Sequence, residues 1–428
     1  MVVAHYGDDG RTGAYGVSGL PEAPRASRLA RTAAPVLCPP VLAGGALVVA
    51  DIAGTVYAFD ASTGETRWRV PGENAELWVR DENGEWPDVL TMAVAVWRDR
   101  VFVAGTEDGT FEYYADFSRK VGIHDLATGE LTGTVPGGGY PVVVGDTLLL
   151  YGLNSGIRAF GLPDLAPLWH AAGATGRVQT VPAVGPDGSV HVPGGFEIEH
   201  VHGGVMRLDL RTGQVTDLDW NLDVDPDEMD DDFDGLDGEY EGRDVTRAVH
   251  AVVAGGLVWM PVDRGPHPYD GAITGQDPRT GEIRWSHRMP ETSAGAVAVA
   301  DGTVFVAVNR RGGGGRGEPS FAKAVTAIDI AGRGVRWTRP LPGTGAGTPV
   351  LAGGVVYMAL REGRVIALDA ASGDVRWEFD LGEPIPGKEE MGYFDEECAY
   401  EEDAQVIVPG DGVLYVRTAT GVAALTGP

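Results

Sequence analysis

Apolar and polar positions alternate in short runs along most of the chain, and nearly every run ends at a glycine-rich corner. Residues 54–68 read GTVYAFDASTGETRW and residues 363–377 read GRVIALDAASGDVRW. Alternation such as Val56 with Ala58, or Val365 with Ala367, predicts half-buried strands. The Asp-x-x-x-Gly that follows predicts a tight turn, because Asp accepts local backbone hydrogen bonds and Gly supplies a positive φ. A Trp then begins the next strand and offers a large apolar plate to a neighbour. Upstream lies a second hairpin, as in PPVLAGGALVVAD (39–51) and TPVLAGGVVYMAL (348–360). Each unit is therefore expected to be four antiparallel strands, A to D.

The unit recurs. Further copies are GAITGQDPRTGEIRW (271–285), KAVTAIDIAGRGVRW (323–337) and GGVMRLDLRTGQVTDLDW (203–220), with weaker ones at 121–133 and 156–169. Asp60, Asp277, Asp329 and Asp369 each stand eight residues before Trp68, Trp285, Trp337 and Trp377; with Trp169 and Trp220, six of the ten tryptophans occupy this one position. The G-x5-D-x3-G-x3-W motif resembles the blades of pyrroloquinoline-quinone-like β-propellers, a group holding quinoprotein alcohol dehydrogenases and the lipoprotein of the outer-membrane β-barrel assembly machinery. That resemblance covers nearly the whole chain and implies an all-β fold, a single propeller of four-stranded antiparallel blades. Units are expected at 34–71, 89–135, 138–173, 178–220, 246–289, 293–341 and 347–381. An eighth, 406–428, stops where strand D should begin, and the N-terminal MVVAHYGDDGRTGAYG is expected to supply that strand and close the ring. Eight blades are expected, with seven the alternative; closure removes sheet edges that would otherwise template aggregation.

Composition agrees with an all-β chain. Gly is 64 of 428 residues, about twice average usage, while 43% hydrophobic content excludes a disordered chain. The net charge of −29 removes nucleic acid from the expected partners, since phosphate binding needs a basic face. No apolar run approaches the roughly 18 residues of a membrane span, so no membrane role is expected. The start shows no basic stretch followed by an apolar one, and a cytoplasmic protein is expected. Cys38 and Cys398 are too few for a disulfide framework.

In such units the A–B and C–D turns leave from one end, and the B–C and D–A connections from the other. The A–B and most C–D turns are minimal. Seven long inserts are all D–A (71–88, 221–244, 382–403) or B–C (106–120, 196–202, 263–270, 309–323), so one face is expected to carry the function. Residues 223–244 hold twelve carboxylates and one Arg, and residues 383–403 hold nine carboxylates and one Lys; together they carry −19 of the −29. Such a surface suits metal ions, a cationic small molecule or a basic protein surface.

Three constellations on these inserts carry candidate chemistry. Asp230, Asp232, Asp234, Gly235 and Glu241 meet the spacing of a calcium-binding loop, with hard oxygen ligands around a glycine turn, although Asp237 stands where an apolar residue is usual. His200 and His202, behind Glu197 and Glu199, share one side if the segment is a strand, and His250 or His267 would complete a transition-metal site. Arg310, Arg311 and Arg316 flank a GGGG tip, a positive spot that joins Arg264, Tyr393 and Tyr400 as candidate ligand contacts. The quinoprotein resemblance invites a quinone cofactor, but those enzymes carry a vicinal cysteine pair that this chain lacks, so calcium or a transition metal is expected instead. No nucleophile elbow, phosphate loop or dinucleotide fingerprint occurs. The pattern leads to a ligand- or protein-binding scaffold with an acidic face. The alternative is a metal-dependent lyase, hydrolase or isomerase working at the mouth of the central channel.

Overall fold

The computed structural model describes residues 2–3, 7–9, 11, 13–36, 38–72, 93–104, 120–137, 139–152, 156–172, 182–193, 196–197, 200–201, 205–216, 251–263, 271–289, 292–310, 322–386 and 405–427. Among these residues there is no helix that is long and apolar enough to cross a membrane. Their strands pair antiparallel in four-stranded units, numbered here in chain order. The first runs Val41–Ala43, Ala46–Ala50, Val56–Asp60 and Thr66–Val70. The sixth and seventh are fused, because one 18-residue strand, Val335–Ala352, is the last strand of one and the first strand of the next.

The recurrent corner forms as its residue types require. Asp369 Oδ1 accepts from the backbone N–H of Ala371 (3.0 Å) and Ser372 (2.9 Å), and Gly373 N donates to Asp369 O at 2.8 Å with φ +74°. Asp60, Asp125 and Asp209 build the same corner. The Trp does not begin strand D; it is the third residue of Thr66–Val70, Ile283–Met289, Val335–Ala352 and Val375–Asp380. Its indole then reaches the next unit. Nε1 of Trp68, Trp169, Trp285 and Trp337 donates to the carbonyls of Leu126, Leu210, Ile330 and Ala370, at 2.8 to 3.1 Å. Each acceptor is the residue just after the corner Asp.

The core lies between units. One cluster joins the second and third through Phe102, Ile123, Leu148 and Phe160. Others join third to fourth, fourth to fifth, fifth to sixth and sixth to seventh. The largest holds residues of the seventh, eighth, first and second together. At the eighth-to-first contact Tyr415 replaces the tryptophan, its hydroxyl donating to Ala61 O at 3.0 Å.

The eighth unit corrects one expectation. Its outer strand is Ala26–Arg31, paired antiparallel with Gly421–Thr426, and the described strands of residues 1–16, Val2–Val3 and Ala14–Tyr15, pair elsewhere. The glycine-free stretch 26–31 can extend without interruption, whereas residues 7–16 are broken by positive-φ turns at Gly7 and Gly13.

Candidate functional site: the insert-bearing end and the N-terminal strap

Antiparallel pairing places the ends of strands B and D, and the starts of A and C, at one end of every unit. The connection from Thr66–Val70 to Ala93–Trp97 and that from Arg100–Ala104 to Lys120–Asp125 both leave from there. The other inserts leave from corresponding ends.

The opposite end is crossed by the N-terminal segment. Val2–Val3 pairs with Leu42–Ala43 at the end of the first unit's strand A. Val184 N donates to Asp9 O (2.7 Å) and Arg11 Nε to Pro182 O (3.1 Å), in the fourth unit. Ala14–Tyr15 runs parallel to Leu351–Ala352 of the seventh. Ser18 N donates to Asp411 Oδ1 at 3.0 Å, and Gly412 N to Gly19 O at 3.0 Å, in the A–B corner of the eighth. Leu20 N donates to Tyr357 Oη at 2.8 Å, while Leu20 O accepts Trp377 Nε1 at 3.0 Å. The strap therefore links inner strands that are far apart in sequence, all at their A–B ends.

At the insert-bearing end the described residues build the root of the second acidic insert. Ile385 N donates to Arg361 O (3.0 Å), Ala419 N to Pro384 O (3.1 Å), and Thr420 Oγ1 to Glu383 Oε2 (2.6 Å). Ile385 is fully buried, so residues 383–385 are clamped between the B–C corners of the seventh and eighth units. Beside them Arg417 is buried and its guanidinium donates to Val36 O at 3.3 Å. In the neighbouring B–C corner of the first unit, buried Asp51 accepts from Ala53 N, Thr55 N, Ala34 N and the Tyr57 hydroxyl, at 2.9 to 3.3 Å. Burial pushes its carboxyl above the usual range, against those four donors. Cys38 packs nearby, its Sγ 3.2 Å from Ala50 O, and burial pushes the thiol up to about 11, which leaves it un-ionised and poorly nucleophilic at neutral pH.

Most candidate site residues lie outside the described residues: Asp230, Asp232, Asp234, Glu241, His202, His250, His267, Arg264, Tyr393 and Tyr400. Two are placed by backbone. His200 belongs to a small hairpin in which Glu197 pairs with His200, within the B–C connection of the fourth unit. Arg310 ends strand B of the sixth unit, across from Thr292, at the insert-bearing end. Among the described residues no group of three metal-ligating side chains converges. Asp51 and Arg417 were not singled out from sequence. The signal for Asp51 was a lone carboxylate following the apolar run ALVVA, and for Arg417 a lone cation inside VLYVRTATG.

A family model described as outer membrane protein assembly factor BamB matches residues 24–75 and 269–425. No curated protein matches the sequence. Among solved structures, the quinohemoprotein alcohol dehydrogenase of Comamonas testosteroni superposes with a TM-score of 0.65 at 13% identity, covering 99% of this chain and 80% of that one. BamB of Moraxella catarrhalis gives 0.55 at 15% identity, covering 94% and 98%. A europium-containing methanol dehydrogenase gives 0.54 at 15%, covering 90% and 86%. At these identities each likeness speaks for the fold. Repeat motif, matched segments and architecture agree, and the chain is similar in repeat and fold to the pyrroloquinoline-quinone-like β-propeller proteins.

Proposed function

We propose that the chain is a closed ring of eight blades that serves as a binding scaffold, holding a divalent cation or a cationic partner on its insert-bearing face. The pairing of Ala26–Arg31 with Gly421–Thr426 supports closure, because it completes the last unit with a strand from the other end of the chain. The observation that carries the reading is polarity. The strap covers the A–B ends of the inner strands, while the inserts, two of which hold −19, leave from the other end. A central channel closed at one end by the strap would then present its mouth to the acidic face, where a negative potential concentrates cations.

In this reading Asp230, Asp232, Asp234 and Glu241 supply oxygen ligands for calcium. His200, His202 and His250 would serve a transition metal, and Arg264, His267, Arg310, Tyr393 and Tyr400 contact the partner. The quinone of the dehydrogenase relatives does not fit the cysteines present. Cys38 stands between Leu37 and Pro39 with a buried thiol, and Cys398 between Glu397 and Ala399, so no vicinal pair exists.

The test is elemental analysis of protein purified without chelator, with melting curves before and after EDTA. Stoichiometric calcium and a lowered melting temperature support the oxygen site, and a stoichiometric transition metal supports the histidines. No metal and an unmoved melt overturn the cation reading. Deleting 223–241 should leave the melting temperature measured in EDTA nearly unchanged and weaken polylysine binding at low salt. Unchanged polylysine affinity would remove the acidic face from the proposal.

A further inference from the structure

The junction between the fourth and fifth units is lined by polar groups. Ala183 of the fourth packs in one cluster with Ala251, Val253, Val258 and Met260 of the fifth. Directly opposed residues of an antiparallel pair share a face. Ala183 opposes His191, and His191 opposes Arg207, so both side chains are on the face turned toward the fifth unit. Across the seam, Gln276 opposes Val258 and Thr274 opposes Met260. His191 and Thr274 are fully buried, and Ser189 and Gln276 nearly so.

The hydrogen-bond pattern fixes what each group still needs. The Ser189 hydroxyl donates to Asp187 Oδ1 at 2.6 Å and lies 2.9 Å from His191 Nε2. With its one proton committed to a carboxylate, the hydroxyl oxygen must accept Nε2–H, which leaves His191 Nδ1 as a bare acceptor. Gln276 Nε2 donates to Thr274 Oγ1 at 2.9 Å, leaving Oε1 as a second acceptor. Arg207 Nε–H is a donor, while another guanidinium nitrogen reaches Asp187 Oδ2 at 3.6 Å. Among the described residues Nδ1, Oε1 and Nε are buried without a hydrogen-bond partner. Folded proteins pair such atoms with protein or with ordered water.

Two acceptors and one donor are the complement of a water molecule, which donates twice and accepts. A metal ion is disfavoured by the guanidinium on the same face and by the engagement of Asp187. An anion would meet two lone pairs. We propose that the seam holds a resident water that donates to His191 Nδ1 and Gln276 Oε1 and accepts from Arg207 Nε. Water in this position ties the two units through hydrogen bonds where the surrounding contacts are aliphatic.

The test is a crystal structure of the full chain fine enough to show ordered water, with oxygen-17 relaxation dispersion on water in the same protein. A density peak within about 3.2 Å of all three atoms is expected, as hydrogen bonding requires. A dry seam, or rotamers that pair the three atoms with one another, overturns the proposal. In solution, a variant combining His191→Leu, Arg207→Met and Gln276→Leu should lose at least one long-lived water, and an unchanged count is contrary. Should that variant not fold, imidazole nitrogen-15 shifts of the wild type decide. The Nε2–H tautomer with a hydrogen-bonded Nδ1 is expected, and an Nδ1–H tautomer removes the acceptor on which the site depends.

Discussion

Trp337 lies flat against Gly373 of the following unit: a Cβ built on Gly373 would come within 2.5 Å of the indole Cδ2. The same contact recurs between Trp68 and Gly129, and between Trp169 and Gly213. The repeat glycine thus has two duties. It turns the corner at positive φ, and it clears a floor for the preceding tryptophan, whose Nε1 bonds the carbonyl three residues before that glycine.

Gly373→Ala is therefore expected to cost more than a positive-φ glycine with open space. Gly354 has the same φ of +74° with nothing within 4 Å. Gly354→Ala should cost about 1 kcal/mol from backbone strain alone. Gly373→Ala should cost about 2–4 kcal/mol, since overpacking against the indole adds to that strain. Urea unfolding midpoints of the two variants check the difference, and equal losses would show that the indole yields freely.

The sixth unit departs from the motif, with Arg333 at the glycine position and φ of 56°. Its carbonyl lies 3.2 Å from His287 Nδ1, and its guanidinium donates to Arg284 O. Arg333→Gly removes the left-handed strain at the cost of more freedom in the unfolded chain, so a net stabilisation of about 0.5–1 kcal/mol is expected. A lowered thermal midpoint would mean that the arginine's own contacts outweigh the strain.

His191 gives the fold a pH dependence. Burial, then Arg207, holds its imidazole down to about 4, with Asp187 opposing. A histidine whose folded pKa is depressed contributes no penalty above its unfolded value near 6.5. It destabilises progressively as pH falls from about 6.5 to 4, because the unfolded chain binds the proton more readily. The wild type should lose about 3 kcal/mol more over that window than His191→Asn. Parallel pH profiles of chemical denaturation for the two proteins check this, and identical slopes would contradict it.

The strap should be separable from the ring. Deleting residues 1–13 removes the Asp9, Arg11 and Gly13 bonds but leaves Leu20 as acceptor for Trp377. A loss of about 3–5 kcal/mol is expected, at about 1 kcal/mol per hydrogen bond with buried packing added, and the strand signature in circular dichroism should persist. Deleting residues 1–20 should cost more, because Trp377 Nε1 loses its acceptor in a buried site. Equal midpoints for the two deletions would show that Leu20 carries no weight.

Unit, corner and tryptophan were legible in the residues because each depends on near neighbours. Period-two alternation, an Asp accepting from the next two or three N–H groups, and a glycine at positive φ are all set within a few positions. An Arg stands before Trp68, Trp285, Trp337 and Trp377, a regularity the corner pattern does not use, and the structure pairs Arg67 with Asp60, Arg336 with Asp329, and Arg376 with Asp369. The binding residues were proposed from spacing alone, and spacing does not say which loops meet.

Local pattern determined that this chain makes four-stranded units with an indole-bearing last strand. Tertiary structure decided which N-terminal residues complete the last unit, that Val2–Val3, Asp9, Arg11 and Ala14–Tyr15 bond to the first, fourth and seventh units, and that His191, Arg207 and Gln276 share a seam. The physical reason is range. A corner is settled by hydrogen bonds between adjacent residues, whereas Arg11 with Pro182, Trp377 with Leu20, and Ala26–Arg31 with Gly421–Thr426 join positions about 170 to 400 apart, which only the packed core selects.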